Sequence, residues 1–327
     1  SLPHSLYASS HTFAVRAINP LLFFSKKATM ACCNQGDADL TAKKAIVGDR
    51  HFGFLGSGQM AQAIAKGLLS GGLLKGSHVC MSDRFGTGPE DAKFYAPIKK
   101  MKDTYGIEYV QENSSMVKKS DVVFVCVKPN LVQHVLRECA DVLPNKLVIS
   151  IAAGVTVADL EAAVPAATHV IRVMPNTPCL VQQGCGAFSR GNTATDEDVQ
   201  LLKATFSVIF PVIEEIPESL MNSVTALSGS GPAYILMVME ALADGGVRLG
   251  LTRALAQKLA IQTVLGTAAM ARDLDVHPAK LRDDVCSPGG STIAGTHVLE
   301  KAGIRATFSE CVEAAKKRND ELGQIQK

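Results

Sequence analysis

The sequence predicts an α/β protein in which a doubly wound, mostly parallel sheet over residues 49–217 is followed by an all-α region over 218–327. Three observations carry that expectation. From His51 onward, short apolar runs alternate with helix-like stretches, the pattern of strands joined by crossover helices. The loop Gly56-Ser57-Gly58-Gln59-Met60-Ala61 stands between one such run and one such helix. After about Pro217 strand signals stop.

The expected strands are His51–Leu55, His78–Ser82, Ile107–Val110, Asp121–Val127, Lys146–Ile151 and His169–Met174. The run Val122-Val123-Phe124-Val125-Cys126-Val127 is apolar throughout, as suits a central strand covered on both faces. Helices are expected at Gln59–Ser70 and Leu131–Val142, and then at Ser219–Leu227, Pro232–Leu249, Thr252–Leu274, Ser291–Lys301 and Ile304–Gly323. Pro232 suits a first helical turn, where its missing N–H goes unused, and Gly250 suits a left-handed helix end. The helix from Pro232 carries Ile235, Leu236, Val238, Met239 and Leu242, which leaves little polar face. A homodimer interface would bury it; the alternative is a central helix wrapped by its own domain.

Charge and composition exclude some function classes. With 33 basic against 31 acidic residues the net charge is +2, which offers no field to grip a nucleic-acid backbone. The nine cysteines are odd in number and lack the paired spacing of a metal site, so they read as small buried hydrophobes in a reducing compartment. The apolar stretch Ala233–Ala243 is broken by Glu240 and falls short of the roughly 20 residues of a membrane helix, so no span is expected. Residues 1–36 contain no acid and carry Arg16, Lys26, Lys27 and an apolar patch over 20–24. This weakly resembles a mitochondrial presequence, and an unstructured leader ahead of a start at Met30 is the alternative. Residues 1–48 are therefore set aside as a leader, and the compartment is cytoplasmic, or mitochondrial if the extension is a presequence.

The glycine loop has the chemistry of a dinucleotide site. Gly56 permits the tight turn, Gly58 lets the backbone approach a pyrophosphate, and Ala61 lets helix and strand pack closely. The helix N-terminus adds free N–H groups and partial positive charge. Asp83 ends the second strand, where its carboxylate would hold ribose hydroxyls and repel a 2′-phosphate. Arg84 could instead pair with that phosphate, so NADH and NADPH both stay open. Val127-Lys128-Pro129 puts a cation at the carboxyl edge of the sheet, unless Lys128 is only a solvated strand-end lysine. The small turn Ile151-Ala152-Ala153-Gly154 would let a nicotinamide ring lie against the backbone.

Three small-residue motifs remain, each at a junction between elements: Met174-Pro175-Asn176-Thr177-Pro178, Leu227-Ser228-Gly229-Ser230-Gly231-Pro232 and Ser287-Pro288-Gly289-Gly290-Ser291-Thr292. Amides and hydroxyls before a helix can seat a small carboxylate, although Ser291 could equally be a plain helix cap. Together with FGFLGSGQMAQAIAKGL, VKPN, SIAAGV, RVMPNTP, TALSGSGPAY, ALADGGVRLGL and DVCSPGGSTIAGTHVLE, these stretches resemble the pyrroline-5-carboxylate reductase family across about residues 52–322.

The resemblance implies an N-terminal Rossmann-like domain and a C-terminal helical dimerisation domain, with dimers assembled further into a ring, here a pentamer of dimers. It implies reduction of the cyclic imine of 1-pyrroline-5-carboxylate to L-proline with NADPH or NADH. Carried over, it makes Leu55, Gly56, Ser57, Gly58, Gln59 and Met60 the pyrophosphate loop and puts Asp83 near the adenosine ribose. Asn113 and Lys128 would line the cofactor groove, with Ala152 and Ala153 near the nicotinamide. Substrate contacts would fall on Glu218, Thr225, Asp284, Ser291 and Thr292, the last two gripping the carboxylate. Asp83 stands where some members have serine, and Asp284 where some have asparagine; the N-terminal extension has no counterpart in compact members.

No histidine or cysteine acid is evident in these motifs. A basic cyclic imine arrives partly protonated and accepts hydride directly, so positioning is the protein's main task. Thr225 is the expected hydrogen-bond partner of the ring nitrogen. A β-hydroxyacid dehydrogenase would need a lysine acid on the helical domain, which these junctions do not offer. A dinucleotide sensor without turnover would have no use for a carboxylate seat.

Overall fold

The computed structural model describes residues 38–84 and 91–325. Residues 38–47 are helical (α1), although they fall within the segment set aside as a leader; the presequence-like stretch lies outside the described residues. The sheet and the helices that cover it belong to the compact unit that begins at Ile46.

The strands of this unit are β1 (Phe52–Leu55), β2 (Val79–Ser82), β3 (Glu108–Val110), β4 (Val122–Val125), β5 (Leu147–Ser150), β6 (His169–Met174), β7 (Cys185–Arg190) and β8 (Val212–Glu215). They form one sheet in the order β3-β2-β1-β4-β5-β6-β7-β8. The first six are the expected ones, trimmed at some ends, and all pair in parallel. β7 and β8 go beyond the expectation. β7 runs antiparallel to β6, and β8 parallel to β7, which extends the sheet past its parallel part. Cys185-Gly-Ala-Phe-Ser-Arg contains one large apolar residue, and β8 exposes Glu214 and Glu215, so neither shows a strong strand signal.

Alternation along the strands sorts the core into two layers. Phe52, Phe54 and Phe124 point to one face, where Phe54 and Phe124 stack with centroids 4.7 Å apart and Phe206 and Phe210 continue the cluster. Leu55, Val123 and Val125 point to the other, against Met116, Val117, Leu136 and Leu160. Each fully buried side chain of this size contributes about 1.5–3 kcal/mol. The covering helices are α2 (Gln59–Ser70), α3 (Ala92–Tyr105), α4 (Asn113–Lys118), α5 (Val132–Glu138), α6 (Val157–Glu161) and α7 (Asp196–Phe206). The single helix expected over Leu131–Val142 is interrupted. α5 lies between 3₁₀ turns at Pro129–Leu131 and Ala140–Val142, because Cys139 leaves helical geometry and its N–H bonds the Leu136 carbonyl three residues back.

After Glu215 no strand occurs among the described residues. The helices are α8 (Met221–Val224), α9 (Gly231–Arg248), α10 (Arg253–Leu274), α11 (Pro278–Val285), α12 (Ser291–Lys301) and α13 (Ile304–Ile325). α11 is an addition to the expected set; it is short and mostly polar. The helix expected over Ser219–Leu227 passes through three geometries: a 3₁₀ turn at Glu218–Leu220, α8, and a π-turn at Thr225–Gly229. α9 and α10 pair closely but bury little: Ala243, Ala256 and Ala260 are covered, whereas Leu236, Met237 and Leu249 are 63%, 69% and 88% exposed. α9 is therefore not wrapped by its own region. The continuous helical stretch Glu218–Arg248 is long and apolar enough to cross a membrane by length and composition, contrary to the expectation from the shorter run Ala233–Ala243. An apolar face of this extent marks a surface that another molecule covers.

Candidate active site

Strand register assembles the site. Val110, Ser82, Leu55, Val125, Ser150 and Arg172 form one row across six parallel strands. The residues that leave the sheet just beyond this row therefore share one edge: Asp83 after β2, Gly56–Gly58 after β1, Val127-Lys128-Pro129 after β4, Ala152 and Ala153 after β5, and Met174–Asn176 at the end of β6. β1 and β4 are neighbours whose connections leave in opposite directions along the sheet. The crevice between them is where open α/β sheets take ligands.

The β1–α2 loop is built tightly from below. Gly56 has φ +91°, and a Cβ there would lie 2.9 Å from Val127 Cγ1 and 3.1 Å from the Cys126 carbonyl carbon. A Cβ on Gly58 would meet no protein atom within 4 Å, so the upper side is open to a ligand. Gly58 caps α2 without a side-chain hydrogen bond, which leaves the amides of the first turn available. Asp83 holds the loop from the side: its Oδ2 accepts from Ser57 N (2.9 Å) and Ser57 Oγ (2.8 Å), and its Oδ1 accepts from Arg84 N (2.8 Å). Tyr109 donates to the Asp83 carbonyl at 3.4 Å. Burial first, and then the Asp83 charge, push its phenol up to about 12, which keeps it a donor. Asn113 spans the same corner, accepting from Ser82 Oγ (2.9 Å) and donating to Glu138 (3.1 Å). Lys128 is exposed at the strand end.

At the other end of the row, the π-turn meets β6. Thr225 Oγ donates back to the Met221 carbonyl (2.8 Å), and Ser230 N donates five residues back to the Thr225 carbonyl (2.9 Å), the widened turn. A Cβ on Gly229 would sit 2.9 Å from Met174 Cε, so the turn lies directly on the end of β6. Asn176 Nδ2 donates to the Ser228 carbonyl (3.2 Å). Glu218 Oε1 accepts from Val157 N at the start of α6 (2.7 Å) and from Arg172 Nη1 (2.8 Å), an arginine only 4% exposed.

Comparison with known proteins decides the family. A model described as "Pyrroline-5-carboxylate reductase dimerisation" matches residues 218–322, and one described as "NADP oxidoreductase coenzyme F420-dependent" matches residues 51–154. Pyrroline-5-carboxylate reductase of Arabidopsis thaliana is 41% identical over 273 residues, which cover 83% of this chain and 95% of the relative. The chain belongs to the pyrroline-5-carboxylate reductase family. Among solved structures, a pyrroline-5-carboxylate reductase from Coxiella burnetii superposes with TM-score 0.77 at 34% identity, covering 84% of this chain and 99% of that one. The Plasmodium falciparum pyrroline carboxylate reductase with NADP bound gives TM-score 0.73 at 31% identity, covering 84% and 98%.

As a member of this family the chain is an oxidoreductase that forms homo-oligomers, and its helical region is a dimerisation domain. The exposed face of α9 and α10 is what that domain has to bury. Asp284, Ser291 and Thr292 stand apart from the row at the sheet edge. Asp284 accepts a hydrogen bond from Lys280 one turn back on the exposed α11. Gly290, not Ser291, is the N-cap of α12, and no side chain caps that helix; Ser291 is exposed and Thr292 half-buried. α12 packs chiefly on α13, which in turn packs on α8 and the π-turn.

Sequence reasoning missed Arg172, Tyr109, and the contacts of Asn176. An arginine inside the apolar run His169–Met174 was the available signal for Arg172, since a buried cation needs a partner. The cysteines behave as expected where they are buried: burial pushes the thiols of Cys80 and Cys139 up to about 12 and that of Cys179 to about 11, so none is a thiolate.

Proposed function

We propose that the chain transfers hydride from NAD(P)H to the cyclic imine of 1-pyrroline-5-carboxylate and releases L-proline. One observation carries the reading: the register row puts the glycine loop and the Thr225 π-turn on the same sheet edge, with the small Ala152–Ala153 turn between them. The open side of Gly58 and the uncapped α2 amides suit a pyrophosphate held by Leu55, Gly56, Ser57, Gly58, Gln59 and Met60. Asp83 and Arg84 would flank the adenosine ribose, with Asn113, Val127, Lys128 and Pro129 along the groove. The nicotinamide would lie over Ala152 and Ala153. When bound, the dinucleotide supplies the hydride.

The protein's own part is to hold the acceptor. A protonated cyclic imine is already an electrophile, and fixing it against the donor is worth roughly 7–11 kcal/mol at the extreme. Thr225 has one proton, here given to the Met221 carbonyl, so its oxygen lone pairs are free to accept from an iminium N–H. That role stabilises the protonated imine. Ser291 and Thr292, with the uncapped amides of α12, form the seat for the substrate carboxylate. Asp284 borders it, and Glu218 contributes by anchoring Arg172 and α6 beneath the π-turn. Because α11 and α12 are exposed in one protomer, this seat would belong to a pocket closed by dimer assembly, with the ring of five dimers as the further expectation. Assembled in this way, the chain works in the cytoplasm, or in the mitochondrion if residues 1–36 act as a presequence.

The test is oxidation of NADPH and NADH by the purified full chain with 1-pyrroline-5-carboxylate, followed by absorbance and by chromatographic detection of proline. Substrate-dependent oxidation with stoichiometric proline supports the reading. Dinucleotide binding without turnover by either cofactor would replace it with a sensor.

A further inference from the structure

We infer that Asn176 is a positioning residue for turnover: it supplies the hydrogen-bond donor that the Ser228 carbonyl loses because Pro232 stands in the first turn of α9, and so fixes Thr225 against the sheet edge. The inference rests on the proposed reduction and deepens it. In a regular helix the Ser228 carbonyl would accept from the N–H of residue 232. Residue 232 is proline, which has no N–H, so that carbonyl has no helical donor. Asn176 Nδ2 donates to it at 3.2 Å across 52 residues of sequence. Asn176 is itself held rigidly: it is 6% exposed, and its Oδ1 accepts from Cys185 N at 2.9 Å on the neighbouring strand β7.

The same residue sits between the two halves of the site. On its chain-forward side the 3₁₀ turn Thr177–Val181 packs against α2, where Cys179 Sγ lies 3.5 Å from Met60 Sδ in the glycine-loop helix. On its side-chain face it holds the turn that carries Thr225, with Gly229 pressed on Met174. The hydrogen bond from Asn176 to the Ser228 carbonyl thus sets the distance between the dinucleotide helix and the Thr225 hydroxyl. A misplacement of about 1 Å at such a junction can cost on the order of a hundredfold in rate.

Asn176→Asp keeps the shape and the acceptor for Cys185 N but removes the donor and turns a carboxylate oxygen toward the Ser228 carbonyl. In the full-length enzyme it is expected to lower kcat by roughly ten- to a hundredfold while KM for NADPH stays within about twofold. Pro232→Ala restores an N–H at the position a helix would use. Measured against Pro232→Ala alone, the double variant is expected to lose much less kcat than Asn176→Asp loses against the unmodified chain. If Asn176→Asp does not fold, as judged by loss of NADPH fluorescence on binding, Asn176→Ala carries the test, because it removes the donor to the Ser228 carbonyl without adding a charge. It too should lower kcat and spare KM for NADPH. A wild-type kcat in Asn176→Asp, or in Asn176→Ala where that variant carries the test, or a loss that Pro232→Ala leaves unrelieved, would each overturn the inference. Absence of turnover in the unmodified chain would instead refute the proposed reduction.

Discussion

Asp83 Oδ2 accepts two hydrogen bonds from Ser57, one from its backbone N–H at 2.9 Å and one from its hydroxyl at 2.8 Å. The carboxylate at the end of β2 therefore braces the glycine loop. In the proposed reading it also meets the adenosine ribose, and these two roles would have separable effects on cofactor use.

Asp83→Ser removes the charge and keeps a short hydrogen-bonding side chain. Two like charges about 4 Å apart near a protein surface repel by about 4 kcal/mol, and the open groove reduces that figure. The ratio of kcat/KM for NADPH over that for NADH should rise by about tenfold or more. Steady-state kinetics with both cofactors at one ionic strength is the check; an unchanged ratio would mean that Asp83 only braces the loop.

Thr225→Val preserves shape and removes the oxygen. If that oxygen meets the substrate nitrogen, kcat should fall by roughly ten- to a hundredfold with little change in NADPH affinity, and Thr225→Ser should retain most of the activity. Equal loss in the valine and serine variants would point to packing of the π-turn, not to the hydroxyl.

Glu218→Gln leaves Arg172 buried without its counter-charge. The glutamate is one-third exposed, so the cost should be moderate, about 1–3 kcal/mol. Denaturant unfolding at fixed protein concentration measures it, since oligomer stability depends on concentration. A midpoint indistinguishable from wild type would show that the pair contributes nothing net.

Met237→Glu places a charge on the 69%-exposed α9 face that a second protomer has to cover. Sedimentation should show a shift from oligomer toward monomer, with loss of turnover and retained dinucleotide binding, because the glycine loop belongs to the sheet domain. An intact oligomer would move the interface to another face of the helical region.

Much of the site is legible in the linear sequence because its chemistry is local. Gly56 with its positive φ, Gly58 at a helix start and Asp83 at a strand end announce their roles by residue type and spacing. β7 and β8 are not legible, since Cys185-Gly-Ala-Phe-Ser-Arg acquires strand structure from pairing with β6 and not from its own pattern. The π-turn is not legible either: the pattern reads as plain helix up to Leu227 and then as a junction, whereas in the fold Thr225–Gly229 is one widened turn in contact with Met174 and Asn176 some fifty residues away.

The sequence by itself determined the six parallel strands, the long helices that follow residue 217 and the dinucleotide loop, all of which follow from periodicities and backbone permissions expressed within a few residues. Only the tertiary structure decided that Arg172 pairs with Glu218, that Asn176 serves the carbonyl orphaned by Pro232, and that α9 lies uncovered in one chain. Those are pairings between distant groups. Burial makes an unpaired charge or carbonyl costly, and only the folded arrangement determines which partner each one finds.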